Sequence, residues 1–369
     1  MSILTFDVET TTKLKGHPFC PDNRLVTAGF LLDGVYFETV DKDLIKETFE
    51  KAKVIVGFNA KFDLHWLRRE FGVVVTDKQL WDCQIAHFLI TCQLERYPSL
   101  NSACAFNGLE SKLDIVKTEY WEKGIDTPDI PKNVISEYLK QDVLLTWQLY
   151  EKQKLSSKRK LIQLSCWDTL CLAEMEWNGF HYDVDASVAE GDRLQIDIDA
   201  IDGELDDLVG FKPNWNSRDQ LSAILFGGEI KTEVKEDYVF EYKSAKKLPV
   251  VKSRTVTNVR TMPTLCKPLK ETSKPGVFAV DEGTLGRVKA RGKAAQIIGL
   301  IQKRAKMNKL VGTYLHGLPA LAAEKGWGNV IHGQLNQCTA VTSRLSSDSP
   351  NLQNVAPGVK QYFVSRFTN

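Results

Sequence analysis

Phe6-Asp7-Val8-Glu9-Thr10 follows directly on Ile3-Leu4-Thr5 near the start of the chain. The apolar–polar alternation predicts a β-strand over residues 1 to 9. Side chains on a strand alternate between faces, so Asp7 and Glu9 project from the same one. Two later segments carry further acids: Gly57-Phe58-Asn59-Ala60-Lys61-Phe62-Asp63 and Tyr138-Leu139-Lys140-Gln141-Asp142. An acidic pair on a strand, joined by two aspartates from later elements, makes an oxygen-rich cage for two divalent cations. Such a cage hydrolyses phosphodiesters, with the ions ~3.5–4 Å apart.

The residues around these segments predict the scaffold. Leu25–Leu32 and Val35–Val40 flank Asp33-Gly34, a hairpin signal. A short helix is expected over Asp43–Lys51. Val54-Ile55-Val56-Gly57-Phe58 reads as a buried strand, and a helix from Asp63 to Phe71 stops at Gly72. Val73–Val75 is expected as another strand, leading to Asp82 as the cap of a helix over Cys83–Thr91. Pro131–Lys154 reads as a long helix carrying Tyr138 and Asp142. Strands followed by helices over residues 1–155 point to an α/β domain. From Ser156 the pattern becomes mainly helical, with Ser217 as a further cap. Residues 229–278 read as an inserted segment of strands and loops, and residues 333–369 as strand and turn.

The chain has 369 residues, 43% apolar and 26% charged, with a net charge of +1. It contains no apolar run of about 18 residues, so no membrane span is expected. The eight cysteines form no Cys-x-x-Cys pair, which argues against a zinc ribbon and fits reduced thiols in a cytosolic setting. Residues 231–310 carry 19 Lys/Arg against 7 Asp/Glu, a balance of +12, which leaves the remainder near −11. A basic block in a neutral chain fits either a surface that meets a polyanion or a solvated insertion.

The acidic segments resemble the proofreading exonucleases that carry four acidic residues and a tyrosine. The resemblance implies a ribonuclease-H-like fold for 1–155. It makes Asp7, Glu9, Asp63 and Asp142 ligands of two Mg²⁺ or Mn²⁺ ions. Tyr138 would orient the attacking water. Asn59 and Lys61 stand beside Asp63 and are candidates for holding the single-stranded 3′ end.

The second half resembles the family A DNA polymerases, in a compact spacing closer to phage than to bacterial members. The likeness rests on Glu176-Trp177-Asn178-Gly179-Phe180-His181-Tyr182-Asp183, on Phe211-Lys212-Pro213-Asn214 with Gln220-Leu221, and on Lys309-Leu310 with Thr313-Tyr314. The most specific stretch is Thr342-Ser343-Arg344-Leu345-Ser346-Ser347-Asp348-Ser349-Pro350-Asn351-Leu352-Gln353-Asn354, with Ser343 where the family usually has glycine. The resemblance implies a helical region leading into the palm and a thumb over 156–332, and the start of an α+β palm over 333–369. Arg344 and Gln353, with Asn351 and Asn354 alongside, would then reach the minor groove of primer–template DNA. Lys303, Arg304, Lys306 and Lys309 would touch phosphates from a thumb helix.

The sequence ends at Phe363-Val364-Ser365-Arg366-Phe367-Thr368-Asn369, which resembles the stretch just before the family's first palm aspartate. No Asp-Tyr-Ser or His-Asp-Glu element is present. The expectation is therefore an exonuclease with primer–template binding, and no polymerisation by this chain alone. A separate C-terminal palm and fingers chain, and a processivity factor, are the partners this reading brings in. A stand-alone exonuclease and a non-catalytic DNA-binding subunit are the alternatives. The expected setting is cytoplasmic, the host cytoplasm for a phage protein.

Overall fold

The computed structural model describes residues 2–111, 114–240 and 250–365. Residues 241–249 of the basic insertion, and Arg366–Asn369 of the palm-like stretch, lie outside them. The chain condenses into two compact units, Met1–Ala186 with Leu318–Asn369, and Ser187–Gly317.

The first unit is built on a mixed five-stranded sheet of order β3-β2-β1-β4-β5. The strands are β1 (Ile3–Thr10), β2 (Leu25–Leu32), β3 (Val35–Glu38), β4 (Val54–Gly57) and β5 (Gln79–Asp82). β1 runs antiparallel to β2 and parallel to β4. The β2–β3 turn places Asp33 and Gly34 at φ 47° and 89°, the left-handed pair that a tight hairpin needs. Helices α1 (Lys42–Lys51), α2 (Ala60–Phe71) and α3 (Cys83–Ile90) follow strands in turn, then α4 (Leu100–Phe106), α5 (Ile115–Glu119), α6 (Lys132–Gln153) and α7 (Arg159–Asn178). The core between sheet and helices holds Leu4, Phe6, Phe30, Ile55, Trp66 and Leu67, each almost wholly buried.

Two expectations about this sheet need correction. Val73–Val75 is not a strand, although Val73 and Val75 are buried and Val74 is exposed. The edge of β4 is taken instead by Gln79–Asp82, in parallel register from Val54↔Gln79 to Gly57↔Asp82. The helix that carries Asp63 starts three residues earlier than expected, at Ala60. Asp82 does cap α3, accepting the Gln84 and Ile85 amides, and it also accepts the Asn59 and Ala60 amides at the start of α2. One carboxylate thus ties down two helix N-termini.

Later elements of the first unit are short. β6 (Phe180–His181) pairs with β9 (Val330–Ile331), and β10 (Gln334–Asn336) pairs with β11 (Ser346–Asp348). The second unit contains most of α8 (Val184–Val209), then α9 (Arg218–Phe226), capped by Ser217 as expected, α10 (Glu282–Leu285) and α11 (Lys293–Lys309). Its core packs Leu205, Ile224, Leu225, Ile297 and Ile301. The insertion forms one antiparallel hairpin, β7 (Gly227–Phe240) with β8 (Val250–Thr264). Helix α12 (Gly317–Lys325) follows. Among the described residues no helix is long and apolar enough to cross a membrane.

Candidate active site

β1 outruns its parallel neighbour. Pairing with β4 covers only Ile3–Thr5, because β4 ends at Gly57 and the chain turns into α2. The overhanging end of β1 carries Asp7 and Glu9, and its register slips at Glu9/Thr10. Ligand sites of open α/β sheets form where strand ends splay in this way. Asp63, in the first turn of α2, points back at the overhang, where its Oδ1 accepts the Val8 amide at 3.1 Å.

Helix α6 completes the set. It crosses β1 and β2, and Gly29, paired with Asp7 across the sheet, lets it come close. A Cβ on Gly29 would sit 2.9 Å from Leu139 Cγ. Leu139 stands three residues before Asp142, so this close approach brings the Asp142 carboxylate to β1. Asp7, Glu9 and Asp142 each offer an oxygen within 4.8 Å of the others. These three and Asp63 line one open cleft of about 560 Å³.

The electrostatics follow from crowding. Burial pushes the Asp63 carboxyl well up, and the Asp7 charge adds to this against the opposing Val8 hydrogen bond. Tyr138, buried and edge-on to Trp121, has its phenol pushed up by burial, then by Asp142, Glu9 and Asp7. It therefore remains a protonated hydroxyl beside the acids. Carboxylates held this close repel one another, and divalent cations remove that repulsion. The donor set is all oxygen, which suits hard Mg²⁺ or Mn²⁺. The residues present fit the metals that the sequence implies.

The remaining predicted residues divide. Asn59 is exposed, at φ 56°, on the lip of the cleft. Lys61 is not available to DNA: its ammonium is nearly buried, 2.5 Å from Glu176 Oε1, and it also donates to the Leu335 carbonyl. Arg304 is likewise committed, forked onto both Asp202 oxygens and donating to Asn216. The expected strand contact at Lys61 and phosphate contact at Arg304 are therefore withdrawn. Lys303, Lys306 and Lys309 share the exposed side of α11. In the signature loop (residues 342–354) Arg344, Asn351, Gln353 and Asn354 are exposed. Asn351 caps the turn by accepting the Gln353 amide at 3.1 Å, and Gln353 Nε2 donates to the Leu345 carbonyl at 3.0 Å. Those two side chains shape the loop that displays Arg344.

Sequence reasoning missed Lys15, Phe62, Gln84, Tyr97 and Trp121, which line the cleft. Only Phe62 had a signal, its place next to Asp63. The others come from loops and a helix start without a motif. A smaller cavity of about 220 Å³ shares Asn59, Phe62, Gln84 and Tyr97 with the cleft and reaches Gln334–Cys338.

Comparison with known proteins follows the same division. Residues 22–157 match the 3′-5′ exonuclease family model, and residues 186–366 match that of DNA polymerase family A. The DNA polymerase of Bacillus phage SP01 is 24% identical over 344 residues, 88% of this chain and 36% of that protein. The thermostable DNA polymerase I of Thermus filiformis is 29% identical over 184 residues, 50% of this chain and 17% of its own length. DNA polymerase I of Bacillus subtilis (strain 168) is 28% identical over 229 residues, 61% of this chain and 21% of that protein. The chain thus spans well under half the length of these relatives. Among solved structures, the POL domain of Pol1 from M. smegmatis, in complex with DNA primer-template and dNTP, aligns with a TM-score of 0.64 at 16% identity, over 98% of this chain and 55% of that one. The chain thus matches two family models in succession, a 3′-5′ exonuclease in front and DNA polymerase family A behind it.

Proposed function

We propose that these residues carry a 3′–5′ DNA exonuclease that removes nucleotides from frayed primer ends during replication, together with part of a primer–template grip. The convergence of Asp7, Glu9 and Asp142 within 4.8 Å, with Asp63 in the same cleft, is the observation that carries the reading.

The terminal phosphodiester would lie in the cleft, with Asn59 on its lip and the aromatic rings of Phe62, Tyr97 and Trp121 along its walls. Rings of this kind stack bases without sequence choice. Asp7, Glu9, Asp63 and Asp142 would hold two divalent ions, whose contribution is Lewis-acid activation of water and neutralisation of charge at phosphorus. The Tyr138 hydroxyl orients the water. The water oxygen bonds to phosphorus, the bond to the 3′ oxygen breaks, and that oxygen leaves with a proton. The products are a nucleoside 5′-monophosphate and a strand one residue shorter.

Arg344 and the exposed Lys303, Lys306 and Lys309 are proposed contacts to primer–template. Nucleotidyl transfer is not assigned to residues 1–369. In this reading it falls to palm and fingers carboxylates outside them, on this polypeptide or on a second one, with any processivity factor joining that assembly. The test is a 3′-recessed primer–template incubated with the protein, Mg²⁺ and all four dNTPs, with primer length followed in time. Shortening that stops on chelation supports the assignment. Persistence of full-length primer, with and without a palm-bearing chain, refutes it.

A further inference from the structure

The β7–β8 hairpin projects two sheet faces of different character. On one, Val234, Glu236, Tyr238 and Phe240 stand across from Val256, Arg254, Lys252 and Val250, with Arg260 nearer the base opposite Ile230. The cations there lie over rings: Lys252 Nζ is 3.7 Å from the Phe240 centroid, Arg254 is 5.6 Å from that of Tyr238, and Arg260 is 4.3 Å from that of Phe211. Glu236 is the acid on this face, 3.4 Å from Arg254. The other face carries Lys231 and Lys235 against Glu229, Glu233 and Asp237, a balance of −1. Lys252, Arg254 and Arg260 are exposed.

We infer that the Lys252–Arg254–Arg260 face is a docking surface for the backbone of duplex DNA. The inference rests on DNA being the substrate, and it adds a site outside the nuclease cleft and the signature loop. Charge complementarity selects the occupant: the net positive charge lies on one face of the ribbon, three cations against Glu236, and cation–π contacts hold the cations there. The thirteen paired residues from Gly228 to Phe240 make a ribbon about 40 Å long at ~3.4 Å per residue. A two-stranded ribbon of that form fits along the major groove of B-DNA. Such a ribbon gains little stability by itself, so a partner along its face is consistent with its length. Contacts of this kind go to phosphates and position the protein without reading sequence.

The test is fluorescence anisotropy of the full chain on a blunt duplex over a salt series. The triple variant K252A/R254A/R260A is compared with K231A/K235A on the opposite face, and thermal midpoints check that each is folded. The wild-type logarithmic salt slope is expected to fall by about 2.7 in the triple variant, ~0.9 for each lost phosphate contact. The opposite-face variant should keep the wild-type slope. No fall in the triple variant, or the same fall per charge in both, overturns the inference. Cleavage of a short single strand by the wild type is measured alongside. Failure there would remove the nuclease reading and leave the hairpin result standing.

Discussion

Gly29→Ala tests how the active site is assembled without touching a proposed metal ligand. The new methyl would lie 2.9 Å from Leu139 Cγ and 3.2 Å from both of its methyls. Carbon atoms pack at about 3.5–4.0 Å, so something must shift by roughly 0.5 Å. Leu139 is wholly buried with Leu31 and Val143 and cannot swing into solvent, so the helix itself has to move. Overpacking of this kind costs about 1–3 kcal/mol. Tyr138 and Asp142 ride on the same turn of α6. A ~1 Å misplacement can cost about 10²-fold in rate, so a tenfold or larger fall in the single-turnover cleavage rate is expected at saturating Mg²⁺. Leu139→Ala alone should cost about 2–5 kcal/mol through the cavity it opens. In the double variant the methyl added at position 29 occupies part of that cavity. The double variant should therefore lose less than the sum, by about 1–3 kcal/mol, and recover part of the rate. Denaturant unfolding and cleavage rates of the four proteins complete the cycle. Additivity within about 0.5 kcal/mol, with an unchanged Gly29→Ala rate, would refute the idea that this contact places Asp142.

Asp7→Asn should lower exonuclease turnover by about 10³-fold or more, since several kcal/mol of metal-borne stabilisation are lost, while circular dichroism stays native. Near-wild-type turnover would sink the ligand assignment. Glu176 is buried, which raises its pKa, but the His65 hydrogen bond and the Lys61 charge prevail and hold it below the usual carboxylate range. Its stabilisation is therefore present above the ordinary glutamate pKa of ~4.5 and is lost as the pH falls through the depressed value. Glu176→Gln should cost about 3–5 kcal/mol at neutral pH and flatten the acid limb of the stability curve, read by urea melts across pH. His17 runs the other way: burial, then Lys325 and His332, lower it to about 4. It stays neutral in the fold while the unfolded chain takes up a proton near pH 6.5. A penalty of about 3 kcal/mol should build between pH 6.5 and 4, and an NMR titration showing an ordinary imidazole would contradict it. Asp82→Ala strips four helix-start amides of their acceptor and should cost about 2–4 kcal/mol by thermal or chemical melt.

The parts of this site that a linear reading reaches are those set by local periodicity. Two residues of separation put Asp7 and Glu9 on one face, and four put Tyr138 and Asp142 on one side of a helix; the folded chain then brings these acids to one cleft. Asp33-Gly34 and the Asp82 cap were legible for the same reason, since each is decided within a few residues. Lys61 and Arg304 were misread because their partners are remote. Glu176 lies 115 residues from Lys61, and Asp202 lies 102 from Arg304, so each cation looked free in its own neighbourhood. Val73–Val75 failed in a similar way. Its alternation is real and buries two valines, but the strand position beside β4 goes to Gln79–Asp82. Ser343 draws the distinction finely. The resemblance of this stretch leads one to expect glycine there, and its φ of 56° is the conformation for which glycine is suited. A side chain there costs about 1–2 kcal/mol, and its hydroxyl gains a 2.6 Å bond from Gln93 Nε2, a hydrogen bond of the order of 1 kcal/mol. The signature thus encodes a left-handed turn that displays Arg344. Glycine is one way to reach it, and a serine held by a residue 250 positions away is another.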